Sequence, residues 1–484
     1  MRLGELLKKL DIVEASADMD TDIRSVCYDS RKLEPGGLFV AVRGFQSDGH
    51  DYIAEALAKG AACIICERRP GAEAQHVLVP DSRKALASVS AAWFGYPAEK
   101  LKLVGVTGTN GKTTVTSLLK QVIEVCSNEK TGLIGTNGNM IGARKLEAER
   151  TTPESYELQE LFAEMVREGC KYAVMEVSSH ALALSRVYGV EFEVGVFTNL
   201  TPEHLDFHAS MEEYANVKSL LFKNSRMSAI NIDDGRAPAM AGSAAGRVFT
   251  FAVNDSAADL VGKSIKLHSD RVDFCALTIG RISRFVLRIP GMFSVYNALA
   301  VISAAMLLGF DIECITDTLS GCGGIRGRAE VVPTGRDFTV LIDYAHTPDA
   351  LENITASVRG FAQGRVVTLF GCGGDRDRRK RPLMGAVAAR NSDFVVVTSD
   401  NPRTEAPGAI ISEILAGMVG TDTPFRVIEN RREAICWALE NALPGDVLIL
   451  AGKGHEEYQI LGRDKIHFDE REVVDEYFEN VNRV

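Results

Sequence analysis

The chain has 484 residues, 46% of them hydrophobic and 25% charged, with a formal net charge of −11. That length exceeds what one core supports and predicts about three domains at roughly 150 residues each. The composition excludes a disordered chain, and the acidic balance argues against a nucleic-acid partner.

The opening stretch "MRLGELLKKLDIVEAS" interrupts its apolar residues with charges, so no export signal is read there. The apolar helix "NALAVISAAMLLGF" is too short to span a bilayer, and a cytoplasmic protein with no membrane association is expected. Residues 1–97 alternate short strands ("LFVAV", "CIICE", "HVLV") with helical stretches, a small α/β unit. Cys63 and Cys66 fall in one of those strands and read as buried core; the ten cysteines are scattered, and disulfides are not expected.

A second unit, residues 98–326, opens on "LVGVTGTNGKTTVTSLL". A regular phosphate-binding loop would have its first glycine at position 106, where Val106 stands. The mechanism survives the irregularity. An apolar strand leads into Gly108, Thr109, Asn110 and Gly111, then Lys112, Thr113 and Thr114 open a helix. Glycines let backbone N–H groups wrap an anion at the helix N-terminus, Lys112 reaches β and γ phosphates, and the Thr113 hydroxyl suits Mg²⁺. The bland alternative is a glycine-rich turn beside a lysine. "KYAVMEVSSH", "VGVFTNL" and "SAINIDD" predict further buried parallel strands. Residues from about 248 to 290 predict antiparallel strands instead, before an apolar helix over 294–309 and a hinge at "GGIRGRAE".

The third unit, residues 327–484, carries strands such as "RVVTLFG", "DFVVVTSD" and "DVLILAG", a Rossmann-like pattern. Ligands on such sheets sit at strand C-termini, where the polar clusters fall: Asp343, "GCGGDRDRRKRP", "SDNPRTE" and "GKGHEEYQ".

Glu176, at a strand end followed by Ser178, Ser179 and His180, fits the acidic partner of a nucleotide-bound Mg²⁺, against the bland reading of a solvated cap. His204, Asp206 and His208 read as a loop that helps hold Mg²⁺ or substrate, with zinc a minor reading. Arg376, Arg378, Arg379, Lys380, Arg381, Arg403 and Glu456 together suit a ligand bearing a carboxylate and an amine; the bland reading of "RDRRKR" is a solvated run.

Taken together, "TGTNGKTT", "MEVSSHAL", "NLTPEHLDFH", "YANVKSLLF", "VYNALA", "GRAE", "DYAHTPDAL", "GCGGDRDRRKRP", "DNPR" and "GKGHE" resemble the Mur ligases of the MurE type in order and over essentially the whole chain. The segment "DSRKLEPGGLFVAVRGFQSDGHDYI" is similar to the part that holds a UDP-sugar in that family. Gly108 in place of a glycine at 106 is the family's own loop. The resemblance implies a small UDP-binding α/β domain, a central P-loop domain with an antiparallel subsheet, and a Rossmann-like C-terminal domain.

It also implies a reaction. ATP phosphorylates the D-Glu carboxylate of UDP-N-acetylmuramoyl-L-Ala-D-Glu, and an amino acid's amine attacks the acyl phosphate. Lys112 and the loop amides would hold phosphates; Thr113, Glu176, His204 and a carbamylated Lys218 would serve Mg²⁺. Asn297, Arg328 and Asp343 correspond to adenine, phosphate and ribose contacts, the last two completing the site when the third domain closes. Ser30, Thr151, Thr152, Ser178 and Arg186 match UDP-sugar and peptide contacts; Leu184 departs from a glutamine in some relatives, and that contact is not carried over. The form "DNPR" implies meso-diaminopimelate, held by Arg376, Asn401, Pro402, Arg403, Gly452 and Glu456; a monomer is expected. Rivals are L-lysine or another diamino acid as substrate, a folylpolyglutamate-synthetase-like ligase, and a P-loop switch or motor ATPase.

Overall fold

The computed structural model describes residues 1–44, 47–71, 74–205 and 207–482. The chain forms three α/β domains, each built on its own sheet, with helices covering the buried strands.

In the amino-terminal domain the strands Val26–Cys27, Leu38–Val40, Cys63–Cys66 and His76–Leu78 pair in parallel, and Glu14–Ala15 closes the edge antiparallel. Cys63 and Cys66 are core residues of this sheet, and burial pushes their thiols up to about 12 and about 11. The domain docks on the central one where Phe94 meets Tyr156 edge to face at 5.2 Å and the Tyr28 hydroxyl donates to Glu157 at 2.7 Å.

The central sheet has eleven strands, and its middle explains the position of the site. Lys102–Thr107 lies between Tyr172–Glu176 and Phe192–Phe197, parallel to both, with Val106 opposite Glu176 and Thr107 opposite Phe197. All three chains therefore leave the sheet at the same edge. Helix Lys112–Ser127 continues from the middle strand, and helix Met292–Leu307, apolar around its whole circumference, is buried beside it.

Two expectations need correction here. Arg247–Ala252 is not antiparallel: it extends the parallel run beside Ser225–Asn231, and only Leu260–Leu267, Val272–Thr278 and Arg281–Leu287 pair antiparallel among themselves. Its first residues alternate between less and more buried positions, and that alternation imitates an antiparallel strand. Cysteines pair as well: Cys126 on the P-loop helix and Cys314 on helix Ile312–Gly321 form a disulfide across 188 residues. No spacing signal could reveal it, because the pairing arises from two helices that pack side by side. A hairpin was also not anticipated: Asn139–Ile141 and Arg144–Leu146 extend the opposite margin, turning at Gly142 with φ 58°.

The third sheet runs in the order Glu330–Val332, Thr339–Asp343, Val447–Ala451, Val366–Phe370, Phe394–Val397, Phe425–Val427, parallel except for its first strand. The pairs Asp343–Ala451, Phe370–Ala451 and Phe370–Val397 align the C-terminal ends. A further hairpin, Tyr458–Leu461 with Asp464–His467, stands over those ends. Apolar packing is continuous through the hinge, where Leu319, Cys322, Ile325 and Ala329 join the central core to the third domain.

Candidate active site

The turn after Thr107 is possible only with glycine at two places. Gly108 has φ 152°, and a Cβ there would stand 1.9 Å from Thr198 Oγ1. Gly111 has φ 87°, and its Cβ would stand 2.3 Å from Asn297 Oδ1. Loop and neighbours are thus packed without room for a side chain.

The loop's conformation is held by the adjacent strand's exit. Asn110 N–H donates to Asn199 Oδ1 at 2.9 Å, Thr109 N–H to the Asn199 carbonyl at 2.9 Å, and the Thr198 hydroxyl to the Asn110 carbonyl at 2.6 Å. Helical hydrogen bonding begins with Val115 N–H to the Gly111 carbonyl. The N–H groups of Gly111 to Thr114 therefore head the helix, the ordinary receptor for a phosphate.

Lys112 Nζ donates to the carbonyls of Gly108 at 2.8 Å and Thr109 at 2.7 Å. Burial holds its pKa below the usual lysine range, against the pull of Glu176 and Glu203. Lys218, only 1% exposed, donates to the same Gly108 carbonyl at 2.9 Å and lies 4.8 Å from the Tyr214 ring. Burial, reinforced by the charge of Lys112, holds its pKa well below normal. Two lysine nitrogens thus converge on one carbonyl oxygen.

Glu176 is buried, accepting from Thr136 N–H at 2.8 Å and the Thr136 hydroxyl at 3.2 Å. His204 adopts φ 56° and packs its ring edge-on against His180 at 4.9 Å. His208 is buried, stacked on Tyr214 at 4.9 Å. Asp206 lies outside the described residues. Among those described, no three His, Cys, Asp or Glu side chains converge as a metal cluster, so the zinc reading gains no third ligand there.

Two side chains, Arg328 and Asp349, bring the third domain to the loop, and Asp343 lies behind them. Arg328 Nη2 donates to Thr113 Oγ1 at 3.1 Å, its guanidinium 4.8 Å from the Tyr344 ring. Asp349 Oδ2 accepts from Asn110 Nδ2 at 3.2 Å and from the Thr201 hydroxyl at 2.8 Å. Asp343 accepts from Ala329 N–H at 2.7 Å and Ala345 N–H at 2.9 Å, and burial raises its pKa despite Arg328. Asn297 is buried beside Gly111. Tyr344 and Asp349 were missed in the sequence, although both stand in the quoted "DYAHTPDAL".

Thr151, Thr152, Ser178 and Arg186 form a connected set on the other side of Glu176. Thr151 Oγ1 lies 3.0 Å from Thr136 Oγ1; the Thr152 hydroxyl donates to the Glu176 carbonyl at 2.8 Å and accepts from Ser178 N–H at 3.1 Å. Arg186 donates to the Thr152 carbonyl at 3.1 Å and Glu154 at 3.2 Å. Ser30 is separate, in the amino-terminal domain, donating to Glu55 at 3.1 Å and accepting from Lys59 Nζ on its carbonyl at 2.8 Å.

The arginine run divides. Arg381 is fully buried between Glu405 and Glu413 and holds the Glu405 carboxyl down at about 2. Arg378 pairs with Glu413, Arg379 with Asp377, and Lys380 donates to the His346 carbonyl at 2.9 Å. The expected ligand role is corrected for Arg378 and Arg381, because carboxylates remote in sequence claim them, while Arg379 pairs within its own turn and Lys380 is taken up by a backbone carbonyl. Arg376 remains exposed beside Gly373, as does part of Arg403, whose Nη1 donates to the Gly374 carbonyl at 2.8 Å. Arg403 itself has φ 52°, fixed by N–H donation to the Ile460 carbonyl at 3.1 Å. Across from them Asn401 Nδ2 donates to Glu456 Oε2 at 2.9 Å. Gly452 has φ 115°, close to Asp400, and Pro402 is buried at the turn, its carbonyl where a Cβ on Gly374 would fall.

Family models match on all three domains: the Mur ligase family catalytic domain at residues 22–94, the Mur ligase middle domain at 106–305 and the Mur ligase glutamate ligase domain at 327–454. A protein of Caldanaerobacter subterraneus subsp. tengcongensis named UDP-N-acetylmuramoyl-L-alanyl-D-glutamate--2,6-diaminopimelate ligase is 50% identical over 481 residues, 98% of each chain. One of Clostridium acetobutylicum, with that name and the number 1, is 46% identical over 485 residues, 99% of this chain and 100% of its own. A solved structure of a protein of the same name superposes with a TM-score of 0.74 at 30% identity, covering 100% of both chains. Mycobacterium tuberculosis folylpolyglutamate synthase shares the fold at a TM-score of 0.61 and 18% identity, over 76% of this chain and 91% of its own. The chain belongs to the Mur ligase family, and it is therefore an ATP-dependent ligase.

Gly111→Ala is expected to weaken ATP binding at least about tenfold, since a strained φ and a displaced Asn297 together cost roughly 1–3 kcal/mol. Isothermal titration with ATP checks this, and unchanged affinity would contradict the packing described for the loop.

Proposed function

We propose that the chain joins meso-diaminopimelate to the D-Glu carboxylate of UDP-N-acetylmuramoyl-L-Ala-D-Glu with cleavage of ATP to ADP and phosphate. The observation that carries this reading is the third-domain pocket. Arg376 and Arg403 meet at Gly373, opposite the Asn401–Glu456 pair. An amino acid whose distal end bears both a carboxylate and an ammonium complements that pairing, because a guanidinium grips a carboxylate and a carboxylate receives an ammonium.

The chemistry follows from charge and position. A carboxylate oxygen of the acceptor attacks the γ-phosphorus, the bond to ADP breaks, and an acyl phosphate forms. The amino acid's neutral amine then attacks the carbonyl carbon; the C–O bond to phosphate breaks and the nitrogen gives up a proton. No protein nucleophile is needed, only alignment and neutralisation of the transferred group. Lys112, the N–H groups of Gly111 to Thr114, and Arg328 supply positive charge at the loop; Asn297 and Asp343 suit the base and ribose of the nucleotide. Thr151, Thr152, Ser178 and Arg186 line the approach of the peptide, and Ser30 receives the uridine end.

Thr113, Glu176, His204 and Lys218 as a carbamate would hold Mg²⁺. The fit rests on the buried Glu176 carboxylate beside the loop and on a Lys218 nitrogen held close to a carbonyl oxygen, where an anion relieves the two converging lysines. When bound, Mg²⁺ neutralises charge on the β and γ phosphates. The chain is expected to act as a monomer in the cytoplasm.

Two measurements test these assignments. With ¹³C-bicarbonate, the wild-type protein is expected to show one carbamate carbon resonance that Lys218→Ala lacks; its presence in the variant would refute the modification. Arg403→Ala is expected to raise KM for diaminopimelate roughly 30-fold or more, since loss of a partner to a buried carboxylate costs about 2–5 kcal/mol, with KM for ATP unchanged. An unchanged KM for diaminopimelate would refute the pocket assignment.

A further inference from the structure

Behind the pocket lies a cation that the ligation chemistry does not use. Lys453 sits directly after Gly452, and its side chain is 0% exposed. Its Nζ is 3.1 Å from Glu456 Oε2, 3.2 Å from Asn401 Oδ1, 4.0 Å from Asp400 Oδ1 and 5.7 Å from the Tyr458 ring centroid. Burying an ammonium is costly unless partners of opposite charge receive it, so so enclosed a lysine is held by this cluster.

The geometry has a definite consequence for Glu456. Its Oε2 accepts from both Asn401 Nδ2 at 2.9 Å and Lys453 Nζ at 3.1 Å. Asn401 is itself fixed, because its Oδ1 also accepts from Ile460 N–H at 3.0 Å. One oxygen of the carboxylate is therefore committed to the protein. The charge balance points the same way. Arg431 and Glu470 cancel one another in a buried pair at 2.7 Å. Lys453 faces two carboxylates, Asp400 and Glu456, and leaves a single negative charge for a ligand.

We propose that Lys453 is a positioning residue that sets the selectivity of the amino-acid pocket. It turns Glu456 so that Oε1 receives one ammonium, and it cancels one of the two carboxylates. With Arg376 and Arg403 at Gly373 to take a carboxylate, the pocket then suits a distal end that carries one ammonium and one carboxylate, over an end that is a lone cation. This inference rests on the diaminopimelate reading of the pocket.

The test compares Lys453→Met, Lys453→Arg, Glu456→Gln and the Lys453→Met/Glu456→Gln double variant with the wild-type enzyme, using UDP-N-acetylmuramoyl-L-Ala-D-Glu, ATP and either meso-diaminopimelate or L-lysine. Lys453→Met is expected to raise KM for diaminopimelate about tenfold with kcat changed much less, and to lower the preference for diaminopimelate over L-lysine by a similar factor, as loss of one charged hydrogen-bond partner implies. KM for ATP is expected to stay constant, and Lys453→Arg to restore most of the preference. In the Glu456→Gln background the methionine substitution is expected to add little, since its effect passes through Glu456. Equal losses for both amino acids, or full additivity in the double variant, would overturn the proposal in favour of a structural lysine. Should Lys453→Met fail to fold, the preference measured for Lys453→Arg against Glu456→Gln decides: wild-type preference in both overturns it. Failure of the underlying reading shows separately, as a wild-type enzyme that makes no product from diaminopimelate.

Discussion

A phosphate-binding loop has to leave amide groups for an anion, so it cannot hold its shape by bonding to itself. Here the shape comes from outside, through Thr198 and Asn199 at the exit of the neighbouring strand. Those bonds require Lys102–Thr107 and Phe192–Phe197 to end in register, which the parallel pairing enforces. The same register brings Glu176 to the opposite side of the loop. Sheet order, glycine placement and the position of the acidic residue are consequences of one requirement.

The third domain then has to reach this loop. Arg328 and Asp349 do so by hydrogen bonds to Thr113, Asn110 and Thr201, and the apolar residues of the hinge keep the two cores continuous. Because Arg328 lies within the hinge, its contact with the P-loop helix depends on the angle between the domains. The amino-acid pocket is carried on the same body as Asp349, so docking that body on the loop also sets where an amine can arrive. Catalysis by alignment needs such a linkage, since a displacement of about 1 Å at the reacting atoms is costly.

The sequence made the strand ends, the loop and the pocket turns legible because each is a local pattern: an apolar run followed by glycine and a polar cluster. What it hid depends on distant partners. Lys218 by itself reads as a solvated helix lysine, yet it is buried and donates to Gly108, 110 residues away. Arg378 and Arg381 read as ligand residues with Arg376, yet Glu405 and Glu413, on a separate loop and helix, take them up. The Cys126–Cys314 bond spans 188 residues and left no spacing to detect. Arg247–Ala252 misled for another reason: its partial alternation is that of an antiparallel strand, yet it lies in the parallel run.

The central claim is that ATP turns a carboxylate oxygen into the leaving group displaced by the amine. It is tested most directly by following that oxygen, using acceptor labelled with ¹⁸O in the D-Glu side-chain carboxylate, with ATP and meso-diaminopimelate. One ¹⁸O atom is expected in each phosphate released, in step with tripeptide formation. Unlabelled phosphate accompanying tripeptide, or phosphate released at the same rate without the amino acid, would contradict the mechanism.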